Sequence, residues 1–304
     1  MQQIRYAYLE TTSYCNLNCS FCNREEVISK QMHMPVETYR MILSKLKNHP
    51  VQEIKLMGMG EPFLHPKFSE ICRLTRETFP TAKIISSTNC QFQLSGNFKR
   101  SLEFIDLLYL SIDGYGETYE KFRKPAKWSK LLKFLSELKE CDKFGCQTAI
   151  NYTINPDNVY DIPKVEILLS RFELDELRLN IVQNWNENEK VEGLISVFKR
   201  EDIEFLKEFK HLIKGRPVWD YSDCFWVKEG LYMSVNGDVK ICCMNTSAKP
   251  VGNLISDLTV SQSFNSHKFY EIKNGCLSNR PSAHCQNCSY KELANVLSEI
   301  QSTH

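Results

Sequence analysis

The stretch Ile4-Arg5-Tyr6-Ala7-Tyr8-Leu9-Glu10-Thr11-Thr12-Ser13-Tyr14-Cys15-Asn16-Leu17-Asn18-Cys19-Ser20-Phe21-Cys22 governs the reading of the chain. Ile4–Thr11 is short and rich in Ile, Leu, Thr and Tyr, which predicts a β-strand. It runs into three cysteines spaced C-x3-C-x2-C. Reactive side chains just after a strand fit a β/α barrel, which builds its sites in those loops. Three thiolates so close in sequence can wrap one metal centre. Structural zinc wants a fourth ligand. A four-iron cluster on three thiolates keeps one iron open for reaction.

Outward from this stretch, strand and helix patterns alternate. Strands are predicted at Glu53–Gly58, Ala82–Ser87, Leu107–Ile112, Gln147–Ile154 and Glu176–Val182. Helices are predicted at Pro35–Lys47, Lys67–Glu77, Lys127–Cys141 and Ile162–Arg171. Such alternation implies a parallel sheet. Six units in roughly 185 residues fit a partial (β/α)6 TIM-like barrel better than a full eight-fold one of about 250. The later strands are apolar on one face and polar on the other. Leu108, Leu110 and Ile112 oppose Tyr109, Ser111 and Asp113; Ile150, Tyr152 and Ile154 oppose Asn151, Thr153 and Asn155; Leu177, Leu179 and Ile181 oppose Arg178 and Asn180. If the apolar face meets the helices, the polar face lines the barrel. A polar interior calls for a polar ligand, because unpaired buried polar groups cost about 1–3 kcal/mol each.

The polar stretch Asn184–Lys190 reads as a boundary. The expected organisation is α/β, with the partial barrel over 1–200 and a smaller region over 201–304. That region begins with a helix near Glu201–Ile213. Strands Leu231–Val235 and Val239–Cys242 then flank the hairpin turn Asn236-Gly237. Helices at Ser261–Lys273 and Lys291–Gln301 close it, the last amphipathic and packed.

Composition narrows the partners. The 304 residues carry 38 Lys+Arg against 37 Asp+Glu, a net charge of +1. That gives no case for nucleic acid or an anionic membrane. No apolar run approaches the ~18 residues of a membrane span, and the first residues lack a signal-peptide pattern. The cytoplasm is therefore the expected compartment. There, 13 cysteines read as metal ligands or catalytic groups and not as disulfides.

At this point the motifs resemble the radical S-adenosylmethionine (SAM) superfamily. Its signature C-x3-C-x-aromatic-C is met by Cys15, Cys19 and Cys22, with Phe21 as the aromatic. Gly58-Met59-Gly60-Glu61-Pro62 is similar to the family's Gly-Gly-Glu-Pro, with Met59 replacing the first Gly. Thr88-Asn89-Cys90 is similar to Thr-Asn-Gly, and Leu110-Ser111-Ile112-Asp113-Gly114 to Ser-(Ile/Leu)-Asp-Gly. Arg123 resembles a downstream family arginine. The resemblance implies a SAM-binding 4Fe-4S cluster on Cys15, Cys19 and Cys22. It implies SAM-site contacts at Phe21, Met59, Gly60, Glu61, Asn89, Ser111, Asp113 and Arg123.

A second constellation is Cys224, Cys242, Cys285 and Cys288. The hairpin turn brings the first two near each other, and Cys285-Gln286-Asn287-Cys288 adds a C-x2-C pair. Four thiolates fully ligate either zinc or a cluster. The spacing, with Val251-Gly252-Asn253-Leu254 before a helix, resembles the auxiliary-cluster region called SPASM in its shortened twitch form, and so implies a second 4Fe-4S cluster. Cys72, Cys141 and Cys146 read as bland, and Cys276 as spare.

The resemblance implies reductive SAM cleavage and hydrogen-atom abstraction from substrate. A fully ligated auxiliary cluster suits electron acceptance in a dehydrogenation. The expected substrate is a small polar molecule such as a sugar or aminocyclitol, as in the butirosin-pathway dehydrogenase type. A flavodoxin- or ferredoxin-type protein is the implied electron donor. Arg178 is the candidate base or substrate clamp. Cys90 and Cys243 are candidate hydrogen-atom donors, which would make the reaction an epimerisation. Peptide modification and a zinc scaffold without enzymatic activity are the other readings.

Overall fold

The computed structural model describes residues 3–28, 30–181, 198–243, 249–257, 259–282, 285 and 288–301. The boundary expected at Asn184–Lys190, the last strand residue Val182, and Gln286 and Asn287 lie outside them. Strands β1 (Tyr6–Leu9), β2 (Glu53–Leu56), β3 (Lys83–Thr88), β4 (Leu107–Ser111), β5 (Gln147–Ile154) and β6 (Glu176–Ile181) run parallel, each pairing with the next. The order never reverses. Right-handed crossovers therefore put every intervening helix on one face and leave the other face enclosed as the lumen of a partial barrel.

The outer layer is α2 (Val36–Leu46), α3 (Phe68–Thr78), α4 (Gly96–Leu102), α5 (Glu117–Phe122), α6 (Trp128–Lys139) and α7 (Ile162–Phe172); the short α1 (Arg24–Val27) lies in the loop after β1. Pro35 is the N-cap of α2, and Tyr39, Ile42, Leu43 and Leu46 form its buried stripe. The strand faces predicted to meet these helices do so: Leu108, Leu110, Ile112, Ile150, Tyr152, Ile154, Leu177 and Leu179 are at most 1% exposed. The opposite face holds a small apolar ring of Ile85, Leu107, Tyr109 and Ala149, with polar residues beyond it.

The C-terminal part contains α8 (Arg200–Glu208), α9 (Phe225–Glu229), β7 (Gly230–Met233), β8 (Asp238–Lys240), β9 (Gly252–Asn253), α10 (Val260–Ser263), α11 (His267–Leu277) and α12 (Ser289–Gln301). The predicted hairpin is present, but it is no separate knob. β7 pairs in parallel with β1, Tyr6 opposite Gly230 through Leu9 opposite Met233. The hairpin thereby extends the barrel sheet into one nine-stranded sheet. The helix expected over Ser261–Lys273 is two helices, because the Ser266 side chain caps α11 by accepting from the Phe269 amide at 3.2 Å. Among the described residues no helix is long and apolar enough to cross a membrane.

Candidate functional site

The loop leaving β1 carries Cys15, Cys19 and Cys22, each half-buried and free of a disulfide. Burial raises the Cys15 and Cys19 thiols, Cys19 to about 11, and the neighbouring sulfurs add to the shift. A metal binding here displaces protons. Two donors face the sulfurs: Asn89 Nδ2 stands 3.8 Å from Cys15 Sγ, and Arg123 Nη1 stands 3.9 Å from Cys19 Sγ. Among the described residues no three metal-binding side chains converge on a single ion. A four-iron cluster is far larger than one ion. Three sulfurs on one loop, with N–H donors aimed at them, fit it.

The loop after β2 is drawn hard against the exit of β1. Glu10 is 1% exposed; Oε1 accepts from the Met59 amide at 2.5 Å and Oε2 from the Val235 amide at 3.0 Å. Burial raises the Glu10 carboxyl despite these bonds. A side chain at Gly60 would land on the Thr12 carbonyl oxygen, so only glycine allows this approach. Glu61 turns inward, accepting from the Asn89 amide at 2.7 Å and the Phe63 amide at 3.3 Å. Burial pushes its carboxyl up to about 7. Glu61 thus ties the loops after β2 and β3 together, and Gly58 and Met59 are what this loop presents to the lumen.

Asn89 also donates to Asn16 Oδ1 at 2.7 Å. Cys90 adopts φ +59°, the left-handed conformation that explains why the resembled motif has glycine there. Its thiol is fully buried in the apolar core and is not part of the lumen lining. This corrects the expectation that it approaches the reacting centre. Ser111 is half-buried at the end of β4. Asp113 is fully buried: Oδ1 accepts from the Thr153 amide at 2.6 Å, and Oδ2 lies 2.5 Å from both Nε and Nη2 of Arg123. Its role is to aim the guanidinium, which sits 5.6 Å from the Phe21 ring centre and beside Cys19. Burial opposes the Arg123 charge, but Asp113 and then Cys19 outweigh it and raise its pKa.

The lumen is a cavity of about 630 Å³. Phe21, Cys22 and Met59 line it at the C-terminal ends of the strands, and Glu53 and Lys83 line it at their N-terminal ends. Between them stand Lys55, whose ammonium contacts the Tyr8 hydroxyl, and Arg178, which donates to the Tyr109 hydroxyl at 2.9 Å. Burial lowers the Lys55 pKa. Cys243 reaches the same cavity, its Sγ 3.5 Å from the Tyr290 hydroxyl. Burial pushes that thiol up to about 11.

The second thiol set gathers around α9 and α11. Cys224, Cys285 and Cys288 lie within electrostatic reach of one another. Cys276, read as spare, joins them: its thiol donates to Cys285 Sγ at 3.8 Å, which lowers the Cys285 pKa. Cys242 follows β8, half-buried and within reach of Tyr232. The C-x2-C spacing found Cys285 and Cys288. Only the position of Cys276 on the buried stripe of α11, with Phe269 and Ile272, signals its membership. Glu10 carried a comparable signal, a lone carboxylate ending an apolar strand.

The Radical SAM superfamily matches residues 9–164, more than half of the chain, and the SPASM iron-sulfur cluster-binding domain matches residues 224–289. A cofactor-modifying protein for the tungsten-containing aldehyde ferredoxin oxidoreductase of Pyrococcus furiosus is 32% identical over 114 residues, which is 36% of this chain and 31% of that protein. The chain thus spans about a third of that relative's length. Among solved structures, Streptococcus suis SuiB bound to precursor peptide SuiA is similar with TM-score 0.69 and 15% identity, over 96% of this chain and 71% of that one. BtrN in complex with AdoMet and 2-DOIA is similar with TM-score 0.55 and 15% identity, over 94% of each chain. The two domains imply a SAM-binding 4Fe-4S cluster, SAM itself and an auxiliary iron–sulfur cluster. With its consecutive parallel strands, its thiol loop after β1 and its matched domains, the chain belongs to the radical SAM superfamily.

Proposed function

We propose that the protein is a radical SAM oxidoreductase that dehydrogenates a small polar molecule held inside the barrel. The observation that carries this is the position of the lumen. It touches Cys22 of the first thiol set at one end, and it is also lined by Phe225, Cys243 and Tyr290, which lie one or two residues from Cys224, Cys242 and Cys288 of the second. Its volume of about 630 Å³ is that of a small-ligand site. When bound, SAM on the first cluster supplies hydrogen-atom abstraction and the auxiliary cluster accepts an electron. Cys15, Cys19 and Cys22 hold the first cluster, with Asn89 and Arg123 donating toward its sulfurs. The backbone at Met59 and Gly60 meets SAM, and Glu61 and Asp113 fix the loops that do so. Cys224, Cys242, Cys285 and Cys288 hold the second cluster. The Arg178 guanidinium offers N–H donors and no acceptor, which makes it a substrate clamp and not a base.

Two other readings have their own support. Cys243 is a thiol in the lumen, which fits a hydrogen-atom donor and an epimerisation. The likeness to peptide-bound SuiB makes a peptide the second substrate class.

After anaerobic reconstitution the protein should carry about eight irons per chain, and about four when Cys15, Cys19 and Cys22 are replaced by alanine. Continued SAM cleavage in that triple variant would sink the assignment. Deuterium moving from a sugar into 5′-deoxyadenosine supports dehydrogenation. Deuterium moving only from a peptide supports the peptide reading. Solvent deuterium entering the product, and lost on Cys243→Ala, supports the epimerase.

A further inference from the structure

The lumen has an uneven charge that the whole chain lacks. The chain as a whole is at +1, yet among the described residues the cavity is lined by Lys55, Lys83, Arg178, Lys214 and Arg216 against the one carboxylate Glu53. Even these cations are poorly neutralised. Lys55 stands 3.6 Å from Glu53, while Glu176, just outside the lining, is shared at 3.9 Å from Arg178 and 3.8 Å from Lys214. Charge-assisted pairs of good geometry are closer, at about 2.7–2.9 Å, as the Asp113–Arg123 pair in the same chain shows at 2.5 Å. Among the described residues no carboxylate pairs with Lys83 or Arg216.

Arg216 is held by aromatic faces, 4.1 Å from the Tyr6 ring centre and 5.2 Å from that of Phe225. Stacking uses the face of a guanidinium and leaves its in-plane N–H donors for an oxyanion. Lys55 and Arg178 are the more enclosed, with side chains 17% and 24% exposed, and each lies within the other's electrostatic reach. Two enclosed cations that feel each other's charge, with long ion pairs, form a site completed by an anion.

We propose that the substrate is anionic: a sugar-sized molecule whose phosphate or carboxylate is clasped by Lys55 and Arg178, after Lys83, Lys214 and Arg216 have drawn it into the barrel. This rests on the lumen being the substrate chamber of the proposed oxidoreductase. The anion then lies below the thiol loop, and the carbon to be oxidised lies above it toward Cys22 and Met59. Tyr8, Tyr109, Tyr232 and Tyr290, which also line the cavity, offer hydroxyls and ring faces to the sugar part.

The test is a ligand series on the reconstituted wild-type holoenzyme by titration calorimetry: glucose 6-phosphate, glucuronate, glucose and glucosamine. At least one anionic sugar should bind about tenfold or more tighter than glucose, as a hydrogen-bonded charge allows. Preference for the phosphate or for the uronate identifies the oxyanion. Lys55→Gln and Arg178→Gln should remove that preference, and Lys55→Arg should restore part of it. Binding of glucose or glucosamine as tight as the better-bound anion overturns the proposal. So does the failure of both anions to bind at millimolar concentration, and so does a preference that survives both glutamine variants. SAM cleavage without ligand is followed in the same preparation. Its absence defeats the functional reading, whereas its presence without anion preference defeats this proposal alone.

Discussion

Asp113 has no exposed surface and commits both oxygens, one to the Thr153 amide and one to Arg123. The arginine cannot shed its charge, so removing the partner leaves a cation buried among Phe21, Cys19 and Tyr119. Asp113→Asn should therefore cost about 3–5 kcal/mol of stability, the range for breaking a buried ion pair. Urea unfolding of the metal-free protein measures it, and a loss below about 1 kcal/mol would put the pair among the weak surface bridges. At this scale the sequence is readable where a residue type is forced by chemistry. The thiols of the first loop and Arg178 stand where the motif and the strand alternation put them. Side-chain direction is less readable. Glu61 and Asp113 lie in the resembled motifs yet do not line the lumen, because Glu61 spends its carboxylate on the Asn89 and Phe63 amides and Asp113 spends its own on the Thr153 amide and Arg123.

Gly60 shows what the loop after β2 demands. Its Cα passes so close to the Thr12 carbonyl that no side chain fits, while the Met59 amide is pinned by Glu10. Gly60→Ala should push this loop off β1, destabilise the protein by about 1–3 kcal/mol as overpacking does, and weaken SAM binding more than iron loading. Equilibrium dialysis with SAM and iron analysis of the same variant check the two effects separately; unchanged SAM affinity would contradict the role given to this loop. Elements with a strong apolar period were legible from sequence. β5 has its expected limits, and α2, α3, α6 and α7 begin and end within two residues of theirs. The short α4 and α5 were not expected. α4 begins at glycine and depends on the Ser95 side chain accepting from the Phe98 amide, and α5 follows Gly116 at φ +60°. Such helices are set by their caps and by tertiary packing more than by periodicity.

At the scale of the molecule, the sheet does not stop at the barrel. β7 closes the free edge of β1, and Val235 reaches Glu10 just beyond it. No local pattern announces a pairing between strands so far apart in sequence, so the hairpin was legible and its place in the sheet was not. A chain ending before Cys224 would leave β1 as a bare edge strand, a template for intermolecular pairing. That truncation should be largely insoluble or oligomeric by size-exclusion chromatography with light scattering; a monodisperse folded monomer would show that the barrel is independent of the hairpin. The same pairing also has a consequence in time. β1 is made before its partner Gly230–Met233, which follows more than 220 residues later. At about 5–20 residues per second, that edge waits roughly ten to forty seconds for the strand that covers it. Slower synthesis lengthens the wait, so soluble yield should depend on translation speed and on the chaperones that guard nascent edges.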